Sequence, residues 1–100
     1  MTPFTENVIN IIKNIPEGRV MTYGQIAKCA GSPRAARQVV RVLHSMSKNH
    51  RLPWHRVINS QGKIGLDDNE EQIFMLESEG IEVGPHDTID LGKFQYHPEF

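Results

Sequence analysis

Apolar residues along this 100-residue chain fall at helical spacings, cut by proline, glycine and short polar clusters. Val8, Ile9, Ile12 and Ile15 recur three and four residues apart. They predict a first helix from about Thr5 to Asn14, capped by Thr5 and stopped by Pro16-Glu17-Gly18. Val20 and Met21 read as a short extended link. Thr22-Tyr23-Gly24-Gln25 has the spacing of a capping box, with Thr22 as N-cap and Gln25 reaching back. A short helix follows to about Ala30, burying Ile26 and Ala27, and Gly31 supplies the left-handed residue that stops it.

Ser32-Pro33 restarts the chain, with Ser32 as cap and Pro33 at the first helical position, and predicts a third helix to about Ser45. Ala36, Val39, Val40 and Leu43 form its inner stripe, while Arg34, Arg37 and Arg41 share another face. Two short helices across a glycine turn, the second striped with arginine, make a helix-turn-helix pattern. Met46 to Pro53 reads as a loop, and Val57-Ile58 with Lys63-Ile64 across Asn59-Ser60-Gln61-Gly62 as a small hairpin. A fourth helix is expected after a cap at Asp67 or Asp68, with Glu70 or Glu71 completing a capping box. Ile73, Phe74, Leu76 and Met75 are its core side and Gly80 its stop. Ile81 to Phe100 reads as irregular chain whose Phe94, Tyr96 and Phe100 pack back on the body. The expected fold is therefore mainly α, a small helix-turn-helix, winged-helix-like domain with a minor β-hairpin, and 1–100 is one domain.

Charge sharpens this picture. The net charge is −1, yet Gly18 to Leu66 holds no Asp or Glu and carries Arg19, Lys28, Arg34, Arg37, Arg41, Lys48, Arg51, Arg56 and Lys63. The acids follow, from Asp67 to Glu99. A basic middle and an acidic end predict a polyanion-binding face backed by a solvated acidic one. Cys29 is the one cysteine, so no internal disulfide forms, and a reducing cytoplasm is the simplest setting. No apolar run approaches the ~20 residues of a membrane span, and no signal-peptide core follows Met1. His44, His50, His55, His86 and His97 lack metal-ligand spacing, so neither metal nor other cofactor is expected.

Four short motifs carry the chemistry. Thr22-Tyr23-Gly24-Gln25-Ile26-Ala27, Gly31-Ser32-Pro33-Arg34-Ala35-Ala36-Arg37-Gln38-Val39, Pro53-Trp54-His55-Arg56-Val57-Ile58 and Glu79-Gly80 stand in order. Together they resemble the motifs of O6-alkylguanine-DNA alkyltransferases up to about Val83, with Trp54 where that family has its nucleophilic cysteine. An indole offers no thiolate, so the chain resembles an alkyltransferase-like protein, which binds alkylated DNA without repairing it. Two departures stand out: Gly65-Leu66-Asp67-Asp68-Asn69 replaces a glycine-rich loop that closes over the base, and Met46-Ser47 replaces an Asn-Pro. The contacts of that loop are not carried over.

The resemblance implies a role for each matching residue. Tyr23 crowds the target phosphate and bonds the flipped guanine. Arg37 enters through the minor groove and fills the vacated place in the stack, which a planar guanidinium does well. Ala35 and Ala36 let the third helix approach the groove closely; Arg34 and Arg41, which share the face of Arg37 by helical spacing, are further DNA-binding candidates. Trp54 lines the pocket, where its indole offers stacking surface to an O6-alkyl group. The main-chain carbonyls of Trp54 and Val57 accept from the guanine amino group. Pro53, His55, Arg56 and Glu79 are structural: His55 and Glu79 keep a hydrogen bond that holds the pocket loop, and Arg56 braces it.

The implied function is recognition of O6-alkylguanine in duplex DNA by base flipping, without alkyl transfer. It blocks alkyltransferase repair and marks the lesion for nucleotide excision repair. The implied partners are lesion-containing double-stranded DNA and excision-repair proteins, with the chain a monomer, in the cytoplasm or on a bacterial nucleoid. Two other readings stay open. One is a working dealkylating enzyme, using Cys29 as nucleophile or His55 and Glu79 to activate water, although a buried inert thiol is expected at Cys29. The other is a sequence-specific helix-turn-helix regulator, for which Gln38 alone is available to read adenine.

Overall fold

The computed structural model describes residues 1–64 and 69–98. Helix α1 spans Pro3–Lys13, strand β1 Met21–Thr22, helix α2 Tyr23–Cys29 and helix α3 Ala36–His50. A 3-10 turn, Trp54–Arg56, leads into strand β2, Val57–Ile58. Helix α4 spans Asn69–Ser78, a second 3-10 turn Pro85–Asp87, and helix α5 Leu91–Phe94.

Helix α1 begins earlier than its apolar stripe suggests. Thr2, not Thr5, is the N-cap: its hydroxyl accepts from the Thr5 N–H at 3.2 Å, and Pro3 sits at the start, where it loses no hydrogen bond. Val8, Ile9 and Ile12 are its buried face. At α2 the capping box forms as expected, with the Gln25 N–H to Thr22 Oγ1 at 3.1 Å and the Thr22 N–H to Gln25 Oε1 at 3.2 Å. Gly31 takes φ +97° beyond the end of α2, a left-handed conformation that costs glycine nothing.

Helix α3 differs at both ends from the sequence expectation. Ser32 and Pro33 do not start it: the Ala35 N–H bonds the Ser32 carbonyl at 2.9 Å in a separate turn, and the uncapped helix begins at Ala36. It then runs through Met46 and Ser47 to His50, where a loop was expected, because Met46 still packs on the core. Arg51, left-handed at φ 52°, ends it. Val39, Val42 and Leu43 are buried, whereas Val40 and Ala36 are half-buried.

The expected hairpin is replaced by a different pairing. Strand β2 pairs in parallel with β1, Met21 beside Val57 and Thr22 beside Ile58. Asn59 does make a turn, its Oδ1 accepting from the Gln61 and Lys63 N–H groups. The returning chain then pairs with the C-terminal segment: Lys63 bridges Thr88, Ile64 N–H bonds the Asp87 carbonyl at 3.0 Å, and Ile89 N–H bonds the Gly62 carbonyl at 2.8 Å. Gly62 has φ +77°, and a Cβ there would run into the Ile89 carbonyl.

Successive strand residues point to opposite faces, so the β1–β2 seam divides two cores. Met21 and Val57 join α1, α2 and α3 in the first, with Leu52. Val20 and Ile58 join Ile64, Leu76, Ile81 and Ile89 in the second. Phe74, expected in the core, is instead 70% exposed on α4, while Gln72 takes a buried place on its inner face. The expected cap of α4, and Phe100, lie outside the described residues. The C-terminal segment is more ordered than expected. It straps the body by Val20 N–H to the Phe94 carbonyl at 2.9 Å and Tyr96 N–H to the Val20 carbonyl at 2.7 Å. No helix among the described residues is long and apolar enough to cross a membrane.

Candidate nucleic-acid interface

The turn before α3 and the first turns of α3 enclose a shallow concavity of about 710 Å³, lined by Ser32, Pro33, Arg34, Ala35, Arg37, Gln38 and Arg41. Arg34, Arg37 and Arg41 are exposed, and among the described residues none takes an acidic partner. Ala35 offers no side chain to cap α3, and no acid stands in its first turn. The partial positive charge of a helix start therefore adds to the three guanidinium groups. Ser32, Pro33 and Gln38 join the sequence-derived set here, while Ala36 is half-buried beside it. The surface suits a polyanion.

A second constellation forms around the 3-10 turn. The Trp54 N–H bonds the Leu52 carbonyl at 2.8 Å and the Arg56 N–H the Pro53 carbonyl at 3.0 Å, which folds Pro53–Arg56 into a tight turn. Trp54 is half-buried against the first core and stands edge-on to the His55 ring, centroids 6.2 Å apart at 83°. Tyr23, just beyond the β1–β2 pair that ends at Thr22 and Ile58, is half-buried on the same core. Burial pushes its phenol pKa up, so the hydroxyl keeps its proton and remains a hydrogen-bond donor.

Glu79, just past α4, ties this turn to the rest of the molecule. Its carboxylate accepts from His55 Nε2 at 2.6 Å and from Arg56 Nε at 3.0 and 3.1 Å. It also accepts from Arg56 Nη2 at 2.8 Å and from the Gly18 N–H at 2.9 Å. Arg56 Nη1 reaches on to the Ile15 carbonyl at 2.8 Å. Burial alone would raise the Glu79 pKa; the hydrogen bonds from Arg56, Gly18 and His55 outweigh it and lower the value from 4.5 to about 2. An ionised carboxylate only accepts, so the proton of the 2.6 Å bond lies on His55 Nε2. His55 Nδ1 is buried and, among the described residues, has no hydrogen-bond partner.

Gln72 has no counterpart in the sequence reading. Only 5% exposed, it donates from Nε2 to the carbonyls of His55 at 3.1 Å and of Val57 at 3.3 Å. It lies four residues before the buried Leu76 and seven before Glu79, on one helical stripe. A lone amide in that stripe was the available signal.

Chemically the turn offers no thiol: Trp54, His55 and Arg56 supply an indole, an imidazole and a guanidinium. Cys29, for which a buried thiol was expected, lies at the end of α2, half-buried against the first core. Among the described residues no three His, Cys, Asp or Glu side chains form a cluster that could hold a metal ion.

Residues 3–81 match the family described as 6-O-methylguanine DNA methyltransferase, DNA binding domain. A Vibrio parahaemolyticus protein named DNA base-flipping protein is 46% identical over 100 residues, covering 98% of this chain and 100% of that one. Alkyltransferase-like protein 1 of Schizosaccharomyces pombe is 40% identical over 105 residues, covering 100% of this chain and 94% of its own. The crystal structure of S. pombe Atl1 in complex with damaged DNA containing O6-carboxymethylguanine superposes with a TM-score of 0.87 at 35% identity, covering 98% of both chains.

Proposed function

The chain belongs to the family of 6-O-methylguanine DNA methyltransferase DNA-binding domains, and from that membership we propose that it binds O6-alkylguanine in duplex DNA by base flipping and performs no alkyl transfer. The observation that supports this reading is the turn around Trp54, which Glu79 holds through His55 and Arg56 and in which the motif resemblance sets Trp54 where the family has its cysteine. A frame kept intact around a residue that cannot be alkylated favours recognition over repair. The names of the similar proteins, a base-flipping protein and an Atl1 complex with damaged DNA, support the same reading.

In this reading α3 lies in the minor groove, with Arg34 and Arg41 on the phosphates and Ala35 and Ala36 allowing close approach. Arg37 enters the stack where the nucleotide leaves, and Tyr23 crowds the target phosphate. The extruded base rests against Trp54, within reach of the carbonyls of Trp54 and Val57. Extrusion costs a few kcal/mol, and stacking on Trp54 and insertion of Arg37 each return about 1–3 kcal/mol. Occupation of the lesion blocks alkyltransferase repair and marks the site for excision-repair proteins. The protein acts as a monomer in the cytoplasm.

An anisotropy titration against one duplex, with guanine or O6-methylguanine at its centre, tests the proposal, with mass spectrometry on the same samples. Tighter lesion binding at unchanged protein mass is expected. A gain of one methyl would point to Cys29 as nucleophile, release of free methanol to hydrolysis by His55 and Glu79, and indifference to the lesion to a plain helix-turn-helix protein.

A further inference from the structure

Two residues, Gln72 on α4 and Glu79 just past its end, hold the 3-10 turn through polar atoms. Glu79 grips side chains, those of His55 and Arg56. Gln72 grips the backbone. Within the turn the Trp54 carbonyl is taken by the Val57 N–H. The next carbonyl, of His55, and that of Val57 go to the Gln72 amide at 3.1 and 3.3 Å. A 3-10 turn has poor hydrogen-bond geometry and leaves its last carbonyls without helical partners. A buried amide is itself costly unless bonded. The two needs are met by each other, and the segment they fix is the one that carries Trp54.

We propose that Gln72 is a positioning residue for lesion recognition: its Nε2 aims the carbonyls of His55 and Val57 and thereby sets the rim of the pocket in which Trp54 stands. The inference rests on the lesion-binding reading above. Asp87 supports the arrangement from outside, since its carboxylate accepts from Asn69 Nδ2 at 3.0 Å and anchors the start of α4. The arginine face of α3 is built on the other core and makes no bond to Gln72. Loss of the amide is therefore felt in lesion preference more than in attachment to DNA.

The test uses the full chain and two variants. Gln72→Met keeps the bulk and removes the donor; Gln72→Lys loses the amide but supplies an ammonium that can donate to the same two carbonyls. Loss of one buried hydrogen-bonding group predicts about a tenfold fall in the preference of Gln72→Met for O6-methylguanine over guanine duplex, with affinity for the plain duplex little changed. Trp54 is the one tryptophan of the chain, so its fluorescence reports the turn directly. Acrylamide should quench it more readily in free Gln72→Met than in the wild type, well below the melting temperature. Gln72→Lys should restore both the preference and the quenching. If Gln72→Met merely melts lower, with wild-type preference and quenching, Gln72 is only packing and the inference is overturned. If Gln72→Met does not fold, Gln72→Lys decides, since quenching or preference unlike the wild type overturns the donor role. A wild-type protein blind to the lesion would sink the lesion-binding reading, while the quenching comparison would still decide whether Gln72 holds the turn.

Discussion

Glu79 concentrates more hydrogen bonds than any other side chain described around the Trp54 turn, and its titration has a definite sign. Its folded pKa is about 2 against an ordinary 4.5, so the ionised form is the one the fold stabilises. That contribution is fully present above about pH 4.5 and is lost as pH falls toward about 2. Melting temperature should therefore drop through this window. Glu79→Gln should lower stability at neutral pH and flatten the acid side of the profile; a parallel profile would show that other carboxylates govern it. At Trp54 the stake is selectivity. Trp54→Ala should weaken binding to O6-methylguanine duplex by about 1–3 kcal/mol, the worth of one base–aromatic stack, and leave the plain duplex nearly unaffected. Equal losses on both duplexes would reduce Trp54 to packing.

Among the elements, α3 carries the candidate interface and also shows where sequence reasoning stops. Its arginine spacing and its inner Val39 and Leu43 were legible, because helical periodicity survives any small error in where the helix begins. Its ends were not. Ser32-Pro33 has the chemistry of a helix start, yet the structure spends it on a turn, and the helix overruns Ser45 because Met46 finds the first core. The same limit applies to β2: its apolar pair was visible, but its partner, the parallel β1 thirty-six residues earlier, leaves no local mark. Trp54, His55, Arg56 and Glu79 could be grouped by resemblance, whereas Gln72 could not, since its value lies in two carbonyls that sequence does not place. Within α3, Arg37 sits in the concavity with no acid among the described residues to neutralise it. Arg37→Ala should cost about 1–3 kcal/mol of DNA affinity if it stacks in the duplex. An unchanged affinity in the same anisotropy assay would remove the finger role.

At the scale of the whole molecule, the arginine face and the acids of α4 fall on different cores. Arg37 and Arg41 stand exposed on α3 and Arg34 in the turn before it, over the first core, and Glu71 and Glu77 stand exposed on α4, which rests on the second. A net charge of −1 therefore does not describe what DNA meets, because the field near α3 is set by the nearest unpaired cations and the rest is screened within about 8 Å at physiological salt. If about five phosphates are neutralised, log K should fall with log salt at a slope of about −4 to −5, and each arginine of the α3 face replaced by alanine should reduce its magnitude by about 0.9. Neutralising Glu71 and Glu77 on α4 should leave the slope where it was, since acids that contact no phosphate release no counterions from DNA. A slope near zero in the wild type would dismantle the basic face. A slope that steepened when Glu71 and Glu77 were neutralised would mean that the acidic helix also faces the duplex, so that one side of the molecule both attracts DNA and limits how much of it is held.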